Sequence, residues 1–307
     1  MFQIAFQNVL LTVLYIFPGF LLCKGRKAIA DHLSTLSAVL VYICSPCMIL
    51  ASFLSLDFSW GILGYMGIFL VVTLVLQMLF MGGIWLILRK KWENAAYRIV
   101  TIGSVLGNVG FFGLPIVKAL LPDNPEVMCY SAMYVISMNF FAFTMGVFCL
   151  TKEKKYMTPR AGILNPSTIG FFVALVCFIF GLGKYVPPIL MNSIDLLGDM
   201  TTPLCMTILG IRLGTVSLKK LFTRPTVYLT CLGKLIVFPL FCYAAVCFLP
   251  LPFSFKASVM ILSATPCASI ILNLAEMHRS ETELSANCVL LSTLICFLTI
   301  PLMVLIL

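Results

Sequence analysis

Apolar residues run through this chain in long blocks divided by short polar loops. A helix needs about 20 apolar residues to cross a ~30 Å hydrocarbon core. Ten blocks meet that length, at 2–23, 33–54, 61–88, 95–119, 127–150, 167–183, 189–211, 225–249, 256–275 and 284–306. The sixth is short and the third is long enough to tilt. The pattern predicts an all-α polytopic membrane protein of ten transmembrane helices. No basic residue precedes the first block, whereas a cleaved signal peptide needs a positive start. That block is therefore expected to be the first span.

Two blocks cannot be regular helices. Ser104–Pro115 reads Ser-Val-Leu-Gly-Asn-Val-Gly-Phe-Phe-Gly-Leu-Pro, with Gly107, Asn108, Gly110, Gly113 and Pro115 in one stretch. Glycine exposes backbone, and proline removes a donor and clashes with the preceding turn. The second break is Ala-Thr-Pro-Cys-Ala-Ser at 264–269, around Pro266 and Ser269. In lipid an unpaired backbone group costs several kcal/mol, roughly, so broken backbone survives only where it lines a protein cavity. Asn108 lies ten residues after Arg98, and Pro266 ten after Lys256. At about 1.5 Å per helical residue both sit ~15 Å deep, at the midplane. Helices four and nine run in opposite senses, so their breaks can meet and cross. The half-helix beyond each break would start there with its positive dipole end, which suits an anion without any basic side chain.

The two breaks belong to two matching halves. Lys27 precedes Pro46 by nineteen residues, and Lys184 precedes Pro203 by nineteen. The flanking sequences are Ser-Pro-Cys-Met-Ile-Leu and Thr-Pro-Leu-Cys-Met-Thr-Ile-Leu. Residues 1–150 and 167–307 then form two five-helix repeats joined by a cytoplasmic linker, 151–166. Five is odd, so the second repeat enters the membrane inverted. Paired breaks in such halves mark a transporter's binding site.

Composition agrees. The chain of 307 residues is 61% hydrophobic and 10% charged, against about 25% charged in soluble domains. Its net charge of +9 is unevenly placed. Sixteen of the 20 basic residues fall on alternate loops, at 24–27, 89–98, 152–160, 212–224 and 279. The positive-inside rule places those loops in the cytoplasm and both termini on the extracellular or periplasmic side. The charge is a topology signal, and nucleic acid is not an expected partner. The thirteen cysteines lie almost wholly in apolar blocks and read as small core hydrophobes. With only two histidines, no metal or other cofactor is expected.

Within this frame Asn108 offers a donor and an acceptor, either to a substrate carboxylate or to freed backbone. Gly107, Gly110 and Gly113 let substrate approach the chain closely. Ser269 is the counterpart at the second break, and Asn273 lies one turn on. Lys234 is the most costly residue, ten after Arg224 and about ~15 Å deep. Asp199, on the preceding helix, is its expected partner. The pair would either couple transport to protons or serve as a structural salt bridge.

At Gly-Asn-Val-Gly-Phe-Phe-Gly-Leu-Pro the chain resembles the auxin efflux carrier family. Supporting stretches are Pro203 through Leu-Gly-Ile-Arg-Leu-Gly214, Lys234 followed by Pro239, and Leu-Ser-Ala-Asn-Cys-Val-Leu-Leu-Ser-Thr293 with a later proline at 301. The family includes bacterial malate and malonate permeases and the plant PIN exporters. The resemblance implies ten helices in inverted repeats, with the substrate site where helices four and nine cross. By resemblance Asn108 and Pro115 match the first crossover and Pro266 the second. The short central loop resembles bacterial members, and Cys267 stands where plant exporters often carry glutamine. Related folds are usually dimeric. The expected function is secondary active transport of small organic anions across the cell membrane, driven by protons or potential. A passive channel is the alternative. An intramembrane enzyme is disfavoured: Leu196-Leu-Gly-Asp199 lacks the first glycine of the aspartyl-protease motif, and both histidines fall in loops.

Overall fold

The computed structural model describes residues 2–215, Phe222 and 224–307. All regular structure among them is helical: α1 (Phe2–Lys24), α2 (His32–Leu54), α3 (Trp60–Lys91), α4 (Ala95–Gly103), α5 (Val109–Leu120), α6 (Val127–Thr151), α7 (Pro159–Ile163), α8 (Pro166–Ile179), α9 (Pro188–Thr215), α10 (Pro225–Val246), α11 (Phe253–Ser263), α12 (Ser269–Met277) and α13 (Thr282–Val304). Seven of these, α1, α2, α3, α6, α9, α10 and α13, are long and apolar enough to cross a membrane. α8 is shorter, as the sixth apolar block is. The fourth and ninth blocks are each split, into α4–α5 and α11–α12. The protein is therefore a multi-pass, all-helical membrane protein.

Local chemistry sets the helix starts. Asn94 accepts from the Ala96 amide at 2.9 Å, and Asn165 from the Thr168 amide at 3.0 Å, each capping the helix that follows. Proline occupies an early position of α8, α10 and the first part of α9, where its missing N–H costs nothing. π-helical turns at Leu40–Cys44, Ala142–Gly146 and Gly233–Val237 interrupt α2, α6 and α10. In α2 the wide turn precedes Pro46, and in α9 a turn at Met200 precedes Pro203.

α1 packs on α9, and α8 packs on α2. α3 packs on α6, and α10 on α13. α4 meets α10, while Phe255 of α11 meets Tyr65 and Phe69 of α3. Backbones come very close between α1 and α9: a Cβ on Gly210 would fall 2.0 Å from the Ile16 carbonyl, and one on Gly19 2.0 Å from the Thr207 carbonyl. Without a hydrophobic drive between helices in lipid, such small-residue contacts are what draw them together.

The basic loops gather at one end. Lys152 pairs with Glu93, Arg212 with Glu276 at 2.6 Å, and Arg224 with Glu281 at 3.1 Å. Lys24 donates to the Gly214 carbonyl, and Tyr156 meets the His278 ring. Lys184 instead pairs with Asp57, joining two loops from the other set. Lys219 and Lys220 lie outside the described residues. In the linker, the Thr158 amide donates to Phe143 at 3.0 Å, folding the segment back on α6.

Candidate functional site

The two breaks cross each other. The Asn108 amide donates to the Pro266 carbonyl at 2.8 Å, and the Ala268 amide to the Leu106 carbonyl at 2.9 Å. Gly107 and Cys267 thus form a one-rung antiparallel bridge between otherwise helical segments. Its sequence basis is the glycine: a Cβ at Gly107 would lie 2.4 Å from Thr265 Oγ1 and 2.8 Å from Lys234 Nζ. Further bonds satisfy the freed groups. The Cys267 amide donates to Ser292 Oγ at 2.9 Å, Thr202 Oγ1 donates to the Phe111 carbonyl at 3.0 Å, and the Asn108 carbonyl accepts from Phe112 and Gly113. The crossing consumes the backbone groups that bilayer burial would otherwise leave unpaired.

α5 and α12 both begin at this crossing and lead away from it. The first amides of any helix have no preceding turn to bond, so two partial positive ends converge here. They face a cavity of about 280 Å3 lined by Val109, Gly110 and Phe111 from α5 and by Ser269 and Ile270 from α12. Its polar side chains include Asn108, Ser45, Ser131 and Asn139, and among the described residues none that lines it is charged. Asn108 is buried, and its Nδ2 lies 3.9 Å from Cys205 Sγ. Ser269 Oγ is buried without a hydrogen-bond partner, a state that carries a desolvation penalty. Ser131, Ala132 and Leu114 close one end of the cavity and are buried, whereas Asn273 and Met277 at the other end are exposed. The cavity therefore opens toward the end where the basic loops gather.

Five of the anticipated substrate residues reach the cavity: Gly107, Asn108, Gly110, Ser269 and Asn273. Three do not. Gly113 faces Thr265 and Leu262 across the crossing, Pro115 sits half-buried in α5, and Pro266 offers its carbonyl to Asn108. Lys234 is fully buried, as its depth implied, but its expected pairing with Asp199 is corrected by the structure. Lys234 Nζ donates to the Ser263 carbonyl at 2.7 Å and lies 4.8 Å from the Phe238 ring centre. Ser263 is the last residue of α11, so the ammonium caps the negative end of that half-helix. Asp199 is exposed on α9, whose neighbours are α1 and α2. Depth along a helix does not fix the direction in which a side chain points, and that is why the pairing fails.

Sequence reading also missed Arg212. In the sequence it reads only as part of the basic stretch 212–224, yet Arg212 Nη1 bonds Glu276 and its Nη2 lies 3.4 Å from Asn273 Oδ1 at the cavity rim. The available signal was position, since both residues close helices that end on the same side.

The model of the family described as "Membrane transport protein" matches residues 4–161 and 155–304. The chain belongs to that family. It is the family of the auxin efflux carriers, to which the glycine-asparagine motif pointed. The chain is also similar to an uncharacterized transporter of Methanocaldococcus jannaschii, 23% identical over 279 residues that cover 89% of each protein. Family membership makes this protein a transporter, with a membrane setting and a substrate to carry.

Proposed function

We propose that the protein is a secondary active transporter of small organic anions, working by alternating access around the crossing of α4–α5 and α11–α12. The observation that carries this reading is the cavity of about 280 Å3 at which both half-helices begin, with Asn108 and Ser269 on it and no charged side chain among the described residues that line it. A carboxylate would accept from the amides that follow Val109 at the start of α5, whose own amide the Gly107 carbonyl takes at 2.8 Å, from those at the start of α12, and from Asn108 Nδ2. Its charge would meet two dipole ends rather than a fixed cation. Weak, distributed binding of that kind suits a carrier, which must also release its cargo.

The ten-helix inverted repeat, with halves 1–150 and 167–307, belongs to the same reading. The reciprocal packing of α1 on α9 and α8 on α2 supports it, as do the matched breaks before Pro46 and Pro203. With the basic loops in the cytoplasm, the cavity opens inward, the termini lie outside, and the cell membrane is the setting. Lys234 holds the end of α11 so that negative half-helix charge does not oppose the anion. Protons or the membrane potential drive accumulation, and a homodimer is the expected assembly.

The test is uptake of labelled malate, malonate and indole-3-acetate into proteoliposomes, with and without an inward proton gradient. Saturable accumulation above equilibrium supports a coupled carrier. Equilibration without accumulation under any gradient supports a passive facilitator.

A further inference from the structure

A second cavity, of about 350 Å3, opens on the flank of the bundle between α3, α4 and α6. Its walls are Met78, Met81, Gly82, Trp85, Trp92, Phe141, Met145, Phe148 and their neighbours, with Thr101 the one hydroxyl. Met78, Trp85 and Met145 are exposed, so the groove faces outward, away from the crossing. A Cβ on Gly82 would meet nothing within 4 Å, and the same holds for Gly83. The glycines leave an open floor rather than a helix contact.

The described residues that line the groove are uncharged, but three cations follow Trp85 in the chain, where α3 tightens into a 3-10 turn at Arg89–Lys91. Met78, Gly82, Trp85 and Arg89 recur at steps of four, three and four residues, which is one stripe of a helix. The stripe thus runs from apolar side chains to a guanidinium, and Lys90 and Lys91 follow directly. Among the described residues no carboxylate pairs with Arg89 or Lys90. Lys91 lies 3.4 Å from the Tyr97 hydroxyl, and Lys152 is committed to Glu93. Trp85 and Trp92 flank the junction of the apolar and charged parts, the position tryptophan favours at a membrane interface.

We infer that this groove is a binding site for an anionic phospholipid, with an acyl chain along Met78–Trp85 and the phosphate held by Arg89, Lys90 and Lys91. Charge complementarity selects the occupant. A neutral lipid would fill the apolar part but leave the cations unpaired, and a basic helix would be repelled. Basic pockets beside transmembrane helices bind anionic head groups in this manner. The site is independent of the transport cavity.

Two of the chain's 3 tryptophans line the groove, so they report on its occupant. The full-length protein carrying Trp60→Phe would be placed in phosphatidylcholine vesicles containing an equal fraction of brominated phosphatidylglycerol or brominated phosphatidylcholine. Quenching of Trp85 and Trp92 fluorescence measures relative occupancy. A basic residue near the surface contributes about fivefold, so we expect at least fivefold preference for phosphatidylglycerol. The triple variant Arg89→Gln, Lys90→Gln, Lys91→Gln should remove that preference and keep quenching by both lipids. Gly82→Leu, which fills open space, should lower quenching by both. Equal quenching in the parent protein would overturn the proposal, as would a preference that survives the triple variant. Protection from both brominated lipids would mean that a second copy covers the groove, and would overturn it too.

Discussion

Lys234 is the residue at which sequence and structure part most instructively. Its depth and cost were legible, because a lysine ten residues inside an apolar block has few explanations. Its partner was not, because the carbonyl it binds belongs to a helix end that exists only once Pro266 and its neighbours break the ninth block. Asn108 was more legible, since its own glycine-rich surroundings create the break it sits in. A buried acceptor that loses its donor costs about 1–3 kcal/mol. Lys234→Met leaves the Ser263 carbonyl without its donor, so it should lower the melting temperature by several degrees, and lower uptake by the protein that still reconstitutes at least about tenfold, as loss of ~1.4 kcal/mol of site stabilisation would. Asp199→Asn should leave uptake unchanged. Gly107→Ala tests the neighbouring contact. Its Cβ would lie 2.8 Å from Lys234 Nζ, and overpacking of about 1–3 kcal/mol should reduce both uptake and thermal stability.

Among the elements, the long helices were legible from block length alone, and the breaks from glycine and proline. The π-helical turns were only partly so: those in α2 and α10 each end two residues before a proline, Pro46 and Pro239, whereas the one in α6 has no proline after it to announce it. Proximity of α1 to α9 was hidden too, since Gly19 and Gly210 look like any glycines in apolar helices. In isolation, glycine to alanine inside a helix gains about 1 kcal/mol. The structure predicts the opposite sign at Gly210, where the added carbon would strike the Ile16 carbonyl. Gly210→Ala should lower the melting temperature by several degrees, whereas Gly64→Ala, with nothing within 4 Å of its Cβ, should hold or raise it. Equal effects at the two positions would contradict the packing described.

For the molecule as a whole, charge distribution was the most informative feature of the sequence, and the structure makes physical sense of it. Loops that share a sign bias meet one another through Lys152–Glu93, Arg212–Glu276 and Arg224–Glu281. Arg212–Glu276 also ties α9 to α12 beside Asn273, where the cavity opens. The proposed alternating access would require that rim to change, so this pair should be felt in turnover. Arg212→Glu should cut uptake strongly, and adding Glu276→Arg should recover part of it, the signature of a coupled pair. No recovery would mean that each side chain acts alone. The central claim is that anions are carried through the crossing, and the most direct measurement is the initial rate of gradient-driven uptake by Asn108→Ala beside the parent protein, across substrate concentrations. A hydrogen bond to a charged group contributes about 1.5–3 kcal/mol, so kcat/KM should fall about ten- to hundredfold while the folded protein still reconstitutes. Unchanged kcat/KM would place the anion elsewhere and contradict the account.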